Sequence, residues 1–433
     1  MNRGLDRWQD GVLAPTAGRP AEILFILWAA ILPFDNVLTV QRFGTLAKYL
    51  GMVVALTIII DRLTRGKGRL KKPGLAAIAW GGFIAFATVS VLWSIEPSKT
   101  LTNLSTIVEL YILYLVVVLC PWSVRTIKHL QRAIMAGGCI AAALSIYSFF
   151  MGETFLSATR ATLVINESSM ADPNHFAASL ILPLLFALEE VVASKRANYF
   201  GYLAIGIITF AIILTGSRGA LLGIICATCV LMFRESRSVA KRSVGIVTIV
   251  FVILFLVSNL VPEGLAQRYT LESILTSEGS HRLPLWRLAF LAFKQKPLLG
   301  WGYGTFAFLS TGQLAAEVSG SLPVGKVAHS IYFQSLSELG ILGFGLLMSG
   351  LAFSFLHGQK NETNSSFFTP VCAAYVGIAA ASGTLCTLNY KYFWLVQMLI
   401  VLTVYPVQGS SSWRGERYHL SYNTSLTNGK HGQ

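Results

Sequence analysis

Charge is what this sequence has least of. Asp, Glu, Lys and Arg make up 12% of its 433 residues, against about 25% in a soluble protein. Half that charge cannot coat a soluble globule. Hydrophobic residues reach 54% and mean hydropathy is +0.61, so lipid must cover much of the chain. Acidic residues are the scarcer sign: 20 against 34 basic ones, for a net charge of +14. A basic balance can mark a nucleic-acid binder. Here no basic patch is interleaved with a soluble fold, and loop lysines and arginines of a membrane protein account for the excess better. A cleavable signal is also missing. Residues 1–20 are polar, and the first apolar run is followed by Asp35 rather than a small-residue cleavage site. No repeat of 20–50 residues appears, and no inverted repeat of the kind many transporters carry.

Cysteine is sparse and forms no framework. Cys120, Cys139, Cys226, Cys229, Cys372 and Cys386 lie in or at the edges of apolar runs. Cys226 and Cys229 make a CxxC without a second pair, inside an apolar stretch. Buried small hydrophobes explain them better than metal or redox chemistry.

What is abundant is apolar sequence in long runs. A membrane span needs about 20 such residues. Runs at 22–40, 46–61, 74–93, 104–120, 133–151, 174–194, 198–215, 218–233, 242–262, 329–356, 367–384 and 390–406 meet or approach that length. The fold class is therefore all-α, a multi-pass membrane protein of about 12 transmembrane helices. Loop charge orients it. With the N-terminus cytoplasmic, 22 basic residues fall inside, among them the cluster Arg62, Arg65, Lys67, Arg69, Lys71 and Lys72. Only Arg42, Lys48, Lys99, Arg160, Arg218 and Lys391 fall in the short outer segments. That asymmetry sets topology and places both termini in the cytoplasm.

The organisation is then a cytoplasmic N-terminus over 1–21, nine spans within 22–262, one long outer loop over 263–328, three spans within 329–406 and a cytoplasmic tail over 407–433. The tail from Ser410 is polar. The long loop is rich in Trp, Phe and Tyr, which argues against disorder. Its stretch Leu285-Trp286-Arg287-Leu288-Ala289-Phe290-Leu291-Ala292-Phe293-Lys294 is too short to span. Either an interfacial helix on the outer leaflet or a helix packed on the bundle mouth fits it.

An ionisable group at membrane depth is a functional hypothesis by default. Four places qualify. In Leu214-Thr215-Gly216-Ser217-Arg218-Gly219-Ala220, Arg218 has almost no loop around it. Small neighbours let backbones approach, and a guanidinium matches phosphate oxygens; the competing reading is an arginine snorkelling to headgroups. In His281-Arg282-Leu283-Pro284-Leu285-Trp286-Arg287, Arg282 or Arg287 is a second phosphate ligand. The following Pro297-Leu298-Leu299-Gly300-Trp301-Gly302-Tyr303-Gly304 reads as a tight, backbone-exposing turn, without the strand–turn–helix context of a nucleotide site. In His329-Ser330-Ile331-Tyr332, His329 can act as a general base near neutral pH. Glu338 lies nine residues on, about 900° at 100° per residue, so it faces away from His329 and reads better as an interhelical hydrogen-bond group. In Ala171-Asp172-Pro173-Asn174-His175, Asp172 reads first as a turn and helix cap. Glu109, well inside its span, has no evident partner.

These pieces, in this order, resemble the O-antigen ligase and polymerase superfamily of bacterial envelope glycosyltransferases. His329-Ser330, nine residues, then Gly340-Ile341-Leu342-Gly343 looks like the ligase signature. The Ser217–Ala220 step is similar to the family's, as are Arg282–Trp286 and Pro297–Gly302. The resemblance covers about residues 170–345; the first 150 residues match only as generic spans.

The resemblance implies an inner-membrane enzyme whose long loop is periplasmic. It implies a glycan donor on undecaprenyl diphosphate and an acceptor sugar hydroxyl or lipid A–core, with chain-length or export proteins as partners. Arg218 and Arg282 would bind the diphosphate, and His329 would activate the acceptor; Arg287, Asp172 and Glu338 are candidate supporting residues on the reading of the sequence rather than on the resemblance. No cofactor, metal or nucleotide is implied, in keeping with the lack of a DxD-like acidic pair. Polymerisation of repeat units is the expectation, with ligation to lipid A–core as the alternative. A transporter or flippase is the reading from another class. It would place its charges near the midplane on broken helices, whereas most candidates here sit at the outer edge.

Overall fold

The computed structural model describes residues 17–40, 44–65, 72–155, 160–166, 169–194, 198–234, 265, 282–318, 325–360, 365–402 and 404–405. The predicted ninth span, 242–262, lies outside the described residues, as do His281, most of 263–281 and the C-terminal tail. The other eleven predicted runs coincide with helices.

The helices are α1 (Arg19–Ala30), α2 (Leu46–Arg65), α3 (Leu75–Val89), α4 (Pro97–Leu119), α5 (Val124–Phe150), α6 (Pro173–Ser179), α7 (Ile181–Ala193), α8 (Tyr199–Leu214) and α9 (Arg218–Arg234). After them come α10 (Arg282–Gln295), the short α11 (Phe306–Leu309) and α12 (Gln313–Ala316), α13 (Ile331–Lys360), α14 (Ser365–Ala381) and α15 (Lys391–Val401). Six strands of two or three residues form three pairs and no larger sheet among the described residues. Among the described residues, five segments are long and apolar enough to cross a membrane: 75–92, 97–119, 124–150, 173–192 and 331–359.

Local chemistry sets the helix starts. Pro97 opens α4, where a missing N–H costs nothing. The hydroxyl of Ser123 caps α5 by accepting from the Thr126 amide, and the Asn198 side chain caps α8 through the Gly201 amide. Three predicted runs are interrupted. The first, expected over 22–40, ends as a helix at Ala30 and tightens into a 3-10 turn over Leu32–Phe34, where Pro33 cannot continue the ladder. The sixth divides at Leu180 into α6 and α7. Pro183 has no N–H for the Ser179 carbonyl, so a continuous ladder is lost there. The tenth, α13, breaks at Gly340, whose φ of 62° and ψ of −165° are not helical.

The chain runs up and down, so alternate loops gather at two ends. One end brings together the start of α1, the end of α2 and the α4–α5 turn. There Gly18 N donates to Asp61 at 2.9 Å, Thr126 Oγ1 to Glu22 at 2.6 Å, and Trp122–Ser123 pairs with Val404–Tyr405. The other end carries the turns after α1, α3, α5, α8 and α14 and the helices α10–α12. α14 packs mainly on α9, and α13 on α3. Small residues permit the first contact: a Cβ on Gly223 would lie 2.6 Å from the Gly377 carbonyl oxygen, and one on Gly377 equally close to that of Gly223. α15 is buried along its whole length. Its Phe393 and Trp394 join Trp80 and Tyr114 in an aromatic core, with Trp80 and Trp394 5.2 Å apart. Large apolar side chains such as Leu63, Leu75, Ile78, Phe200 and Phe233 stay exposed. An apolar coat around an aromatic core is what a lipid-facing bundle needs.

Candidate functional site

At the second end, stretches far apart in sequence converge: 160–175, 215–218, 282–286 and 326–330, against the turn between α14 and α15. Arg160 straps two of them. It is 8% exposed; its Nε donates to the Thr215 carbonyl at 2.7 Å and its NH2 group to Asn174 Oδ1 at 2.8 Å. The turn it grips, Thr215–Ser217, contains Gly216 at φ 63° and leads straight into Arg218 at the start of α9. Beside it, a Cβ on Gly219 would collide with Thr384 Oγ1. The small residues around Arg218 thus let α9 seat against the α14–α15 turn.

Asp172 is the cap that its Asp-Pro-Asn context predicts. Oδ1 accepts from the amides of Asn174 at 2.8 Å and His175 at 3.2 Å. Burial pushes its carboxyl up, but His175, these two amides and Arg160 outweigh burial and hold it below the ordinary carboxylate value. His175 points its Nδ1 at the Tyr392 hydroxyl, 3.0 Å away.

His329 stands at the mouth of α13 with φ 50°, the one non-glycine positive φ among the described residues. Strain of this kind collects at functional sites. The backbone around it is over-determined: Ile331 N donates to the carbonyls of Ser382 and Leu385 at 3.1 and 3.2 Å. Burial and the nearby Arg282 and Lys326 push its pKa down, while Asp172 pulls it up; the net direction is down. His329 is therefore a neutral imidazole at neutral pH, with a carboxylate near enough to favour its protonated form.

Arg282 opens α10, and Trp286, one turn later on the same face, anchors the helix. The indole donates to the Ala328 carbonyl at 3.1 Å and stacks on Phe333 at 5.2 Å. The Arg-x-x-x-Trp spacing thus fixes Arg282 beside the residue preceding His329. α10 buries Leu285, Leu288, Ala289 and Ala292 against α11, α12 and Ala328, so one face packs on the bundle mouth. Arg287, about 140° round the helix from Arg282 at 100° per residue, is exposed.

The glycine-rich turn has a structural task. Gly300, Gly302 and Gly304 all adopt positive φ. The turn fills the break in α13: Ile341 N donates to the Pro297 carbonyl at 2.8 Å and Gly302 N to that of Glu338 at 2.7 Å. Glu338 is fully buried and clamps the turn from inside. It accepts from Gly304 N at 2.8 Å, Phe306 N at 3.0 Å and Gln334 Nε2 at 3.1 Å. Its partners are the turn amide of Gly304, the first amide of α11 and a residue of its own helix, so the bond to Phe306 is the interhelical one that was expected. A small cleft lies alongside, lined by Tyr303, Gln334, Glu338, Cys386 and Asn389 among others. Burial pushes the Cys386 thiol up to about 12, so it is no thiolate nucleophile.

The structure thus assembles Asp172, Arg282 and His329, reaches Arg218 through Arg160, and leaves Arg287 on the surface. Sequence reasoning passed over Arg160 and Lys391 as ordinary outer charges, and over His175 as part of a cap. Their signal was the same as for Arg218: a polar group abutting an apolar run. Glu109 has a partner after all, Lys48 at 3.4 Å. Among the described residues no three His, Cys, Asp or Glu come together as a metal site.

A comparison with curated proteins gives no match. Residues 203–348, which hold Arg218, Arg282 and His329 but not Arg160, Asp172 or His175, match the family model described as O-Antigen ligase, which supports the resemblance to the O-antigen ligase and polymerase superfamily over that segment.

Proposed function

We propose that the protein is a bacterial inner-membrane glycosyltransferase that moves a glycan from undecaprenyl diphosphate to an acceptor sugar hydroxyl at the periplasmic face, joining repeat units of a surface polysaccharide. The observation that carries this reading is the neutral, backbone-strained His329 between Arg282 and Asp172, inside the segment that matches the O-antigen ligase family.

The chemistry is a direct displacement. The acceptor oxygen attacks the anomeric carbon and gives its proton to His329. The bond from that carbon to the diphosphate oxygen breaks, and the diphosphate leaves with the electron pair. Arg282 and Arg218 offset its growing negative charge. Asp172 stabilises the imidazolium that forms, which is the sense in which it raises the His329 pKa. A single displacement inverts the anomeric configuration. Transfer to lipid A–core uses the same steps with another acceptor, and the His329–Gly343 pattern favours that second reading.

Purified protein in lipid, given undecaprenyl-diphosphate glycan, should yield longer chains without added nucleotide. Arg218→Ala, Arg282→Ala and His329→Ala should each abolish product while the protein remains inserted. Full activity in all three variants sinks the assignment. Product only when lipid A–core is supplied makes the enzyme a ligase.

A further inference from the structure

Two tyrosines flanking one lysine, Tyr390-Lys391-Tyr392, lie outside the family match, and both rings converge on His175. The Tyr390 ring lies flat on the His175 ring, centroids 3.6 Å apart and 8° from parallel. The Tyr392 hydroxyl is 3.0 Å from Nδ1 of the same ring. Between them, Lys391 makes a buried ion pair with Asp35 at 2.9 Å, and the other Asp35 oxygen accepts from Thr45 Oγ1 at 2.6 Å. A buried ion pair adds little net stability over an apolar replacement. What this one does is pin the start of α15 to the corner between α1 and α2, which fixes both tyrosines.

His175 is consequently held on one face and at one nitrogen. It is itself tied to Asp172, whose Oδ1 accepts from the His175 amide. Among the described residues, Asp172 is the one negative charge acting on His329. The groups facing His329 come from every neighbouring element: Arg282 from α10, Lys326 from its own loop, Asp172 from the cap of α6, His175 from the first turn of α6 and the Cys386 thiol from the α14–α15 turn. Around Asp172 stand Arg160, His175 and Tyr390. A shift of the α6 cap therefore changes how much negative charge His329 feels.

We propose that His175 is a positioning residue of the transfer reaction, locked by a Tyr390-Lys391-Tyr392 clip, and that it acts by holding Asp172 towards His329. This rests on His329 being the base. The test is the pH profile of transfer in wild type, His329→Ala, Tyr392→Phe, His175→Gln and His175→Asn, per folded protein in lipid. Tyr392→Phe keeps the ring and removes only the hydroxyl, so it reports even where a histidine variant misfolds. An Asn amide sits where Nδ1 does, whereas a Gln amide reaches the Nε2 position.

Tyr392→Phe and His175→Gln should lower kcat by about tenfold or more with KM little changed, since a displaced group costs rate rather than binding. Their acid limb should move to lower pH, because Asp172 no longer supports the imidazolium. His175→Asn should keep most of kcat and the wild-type limb. Lys391→Met should fall like Tyr392→Phe, and adding Asp35→Asn should restore part of the loss by removing the lone buried charge. An active wild type with a dead His329→Ala, but unchanged kcat and acid limb in Tyr392→Phe and His175→Gln, overturns the inference and leaves the function standing. Equal losses in His175→Asn and His175→Gln with an unmoved limb also overturn it, in favour of plain ring packing. Strictly additive losses in the Asp35/Lys391 pair overturn the clip. A wild type that makes no product overturns the function, and the inference with it.

Discussion

Replacing Glu338 by Ala tests how the glycine-rich turn is held. In the folded protein this carboxylate accepts from two buried backbone amides, Gly304 and Phe306, and from the Gln334 side chain. Alanine leaves both amides without their acceptor. Each buried donor so orphaned costs about 1–3 kcal/mol, hence roughly 2–6 kcal/mol for the pair. Glu338→Gln keeps one acceptor oxygen and sets an NH2 group against the other amide, so about 1–3 kcal/mol is lost. The loss is local, because the turn only plugs the break at Gly340 and the rest of α13 packs on α3. Hydrogen exchange of the two amides reads it directly: 2 kcal/mol is roughly a 30-fold faster opening. Exchange at Gly304 and Phe306 should quicken by that much in Glu338→Ala and by less in Glu338→Gln, with amides of α3 unaffected. Unchanged exchange at Gly304 and Phe306 would refute the clamp.

Four further outcomes follow from the same geometry. Burial and Arg282 depress the His329 pKa, so the acid limb of the rate profile should lie below about 6.5, the ordinary histidine value; Asp172→Asn should move it lower still, and a limb above that value counts against His329 as the base. Gly340→Ala places a Cβ on the Leu298 carbonyl at φ 62°, and should cost at least about 1–2 kcal/mol in thermal unfolding of the detergent-solubilised protein. His329→Gly should be more stable than His329→Ala by about 1 kcal/mol, since glycine takes φ 50° without strain; equal stabilities would show that the strain is not borne there. Arg287→Ala should keep transfer within about twofold of wild type, as expected of an exposed arginine, whereas Arg282→Ala abolishes it.

The fold was legible where hydrophobic length carried it. Eleven predicted runs coincide with helices because a run of apolar residues in lipid has helix as its main way to satisfy its backbone. What length could not tell was where a run breaks. Pro33 and Pro183 were visible signals that a span-length window averages away. The break at Gly340 was not visible at all, because a glycine inside a membrane helix is ordinary. It is a break only because Pro297 and Leu298 supply carbonyls to the amides of Ile341 and Leu342. A contact over some forty residues of sequence has no local signature.

The candidate site divides along the same line. Arg218 and His329 could be picked out because each puts a charge or a titratable ring where a span begins or ends, and Arg282 because it heads an aromatic helix too short to span. Glu338 stood out on that rule too, yet its hydrogen bonds show a clamp for a loop. The rule finds polar groups that are costly to bury; it does not say whether the cost was met for chemistry or for architecture. What separates the two cases is the partner set. Glu338 has its oxygens taken up by backbone amides, an arrangement that is complete without a substrate. His329 instead has a strained backbone, a depressed basicity and one carboxylate acting on it from another helix. Such an arrangement fits the proposed role, in which a proton arrives at the ring. Arg160 lies between the two: fixed through Thr215 and Asn174, it joins the turn of Arg218 to the cap of Asp172, so one structural guanidinium sets the spacing of two charges that the proposed reaction uses.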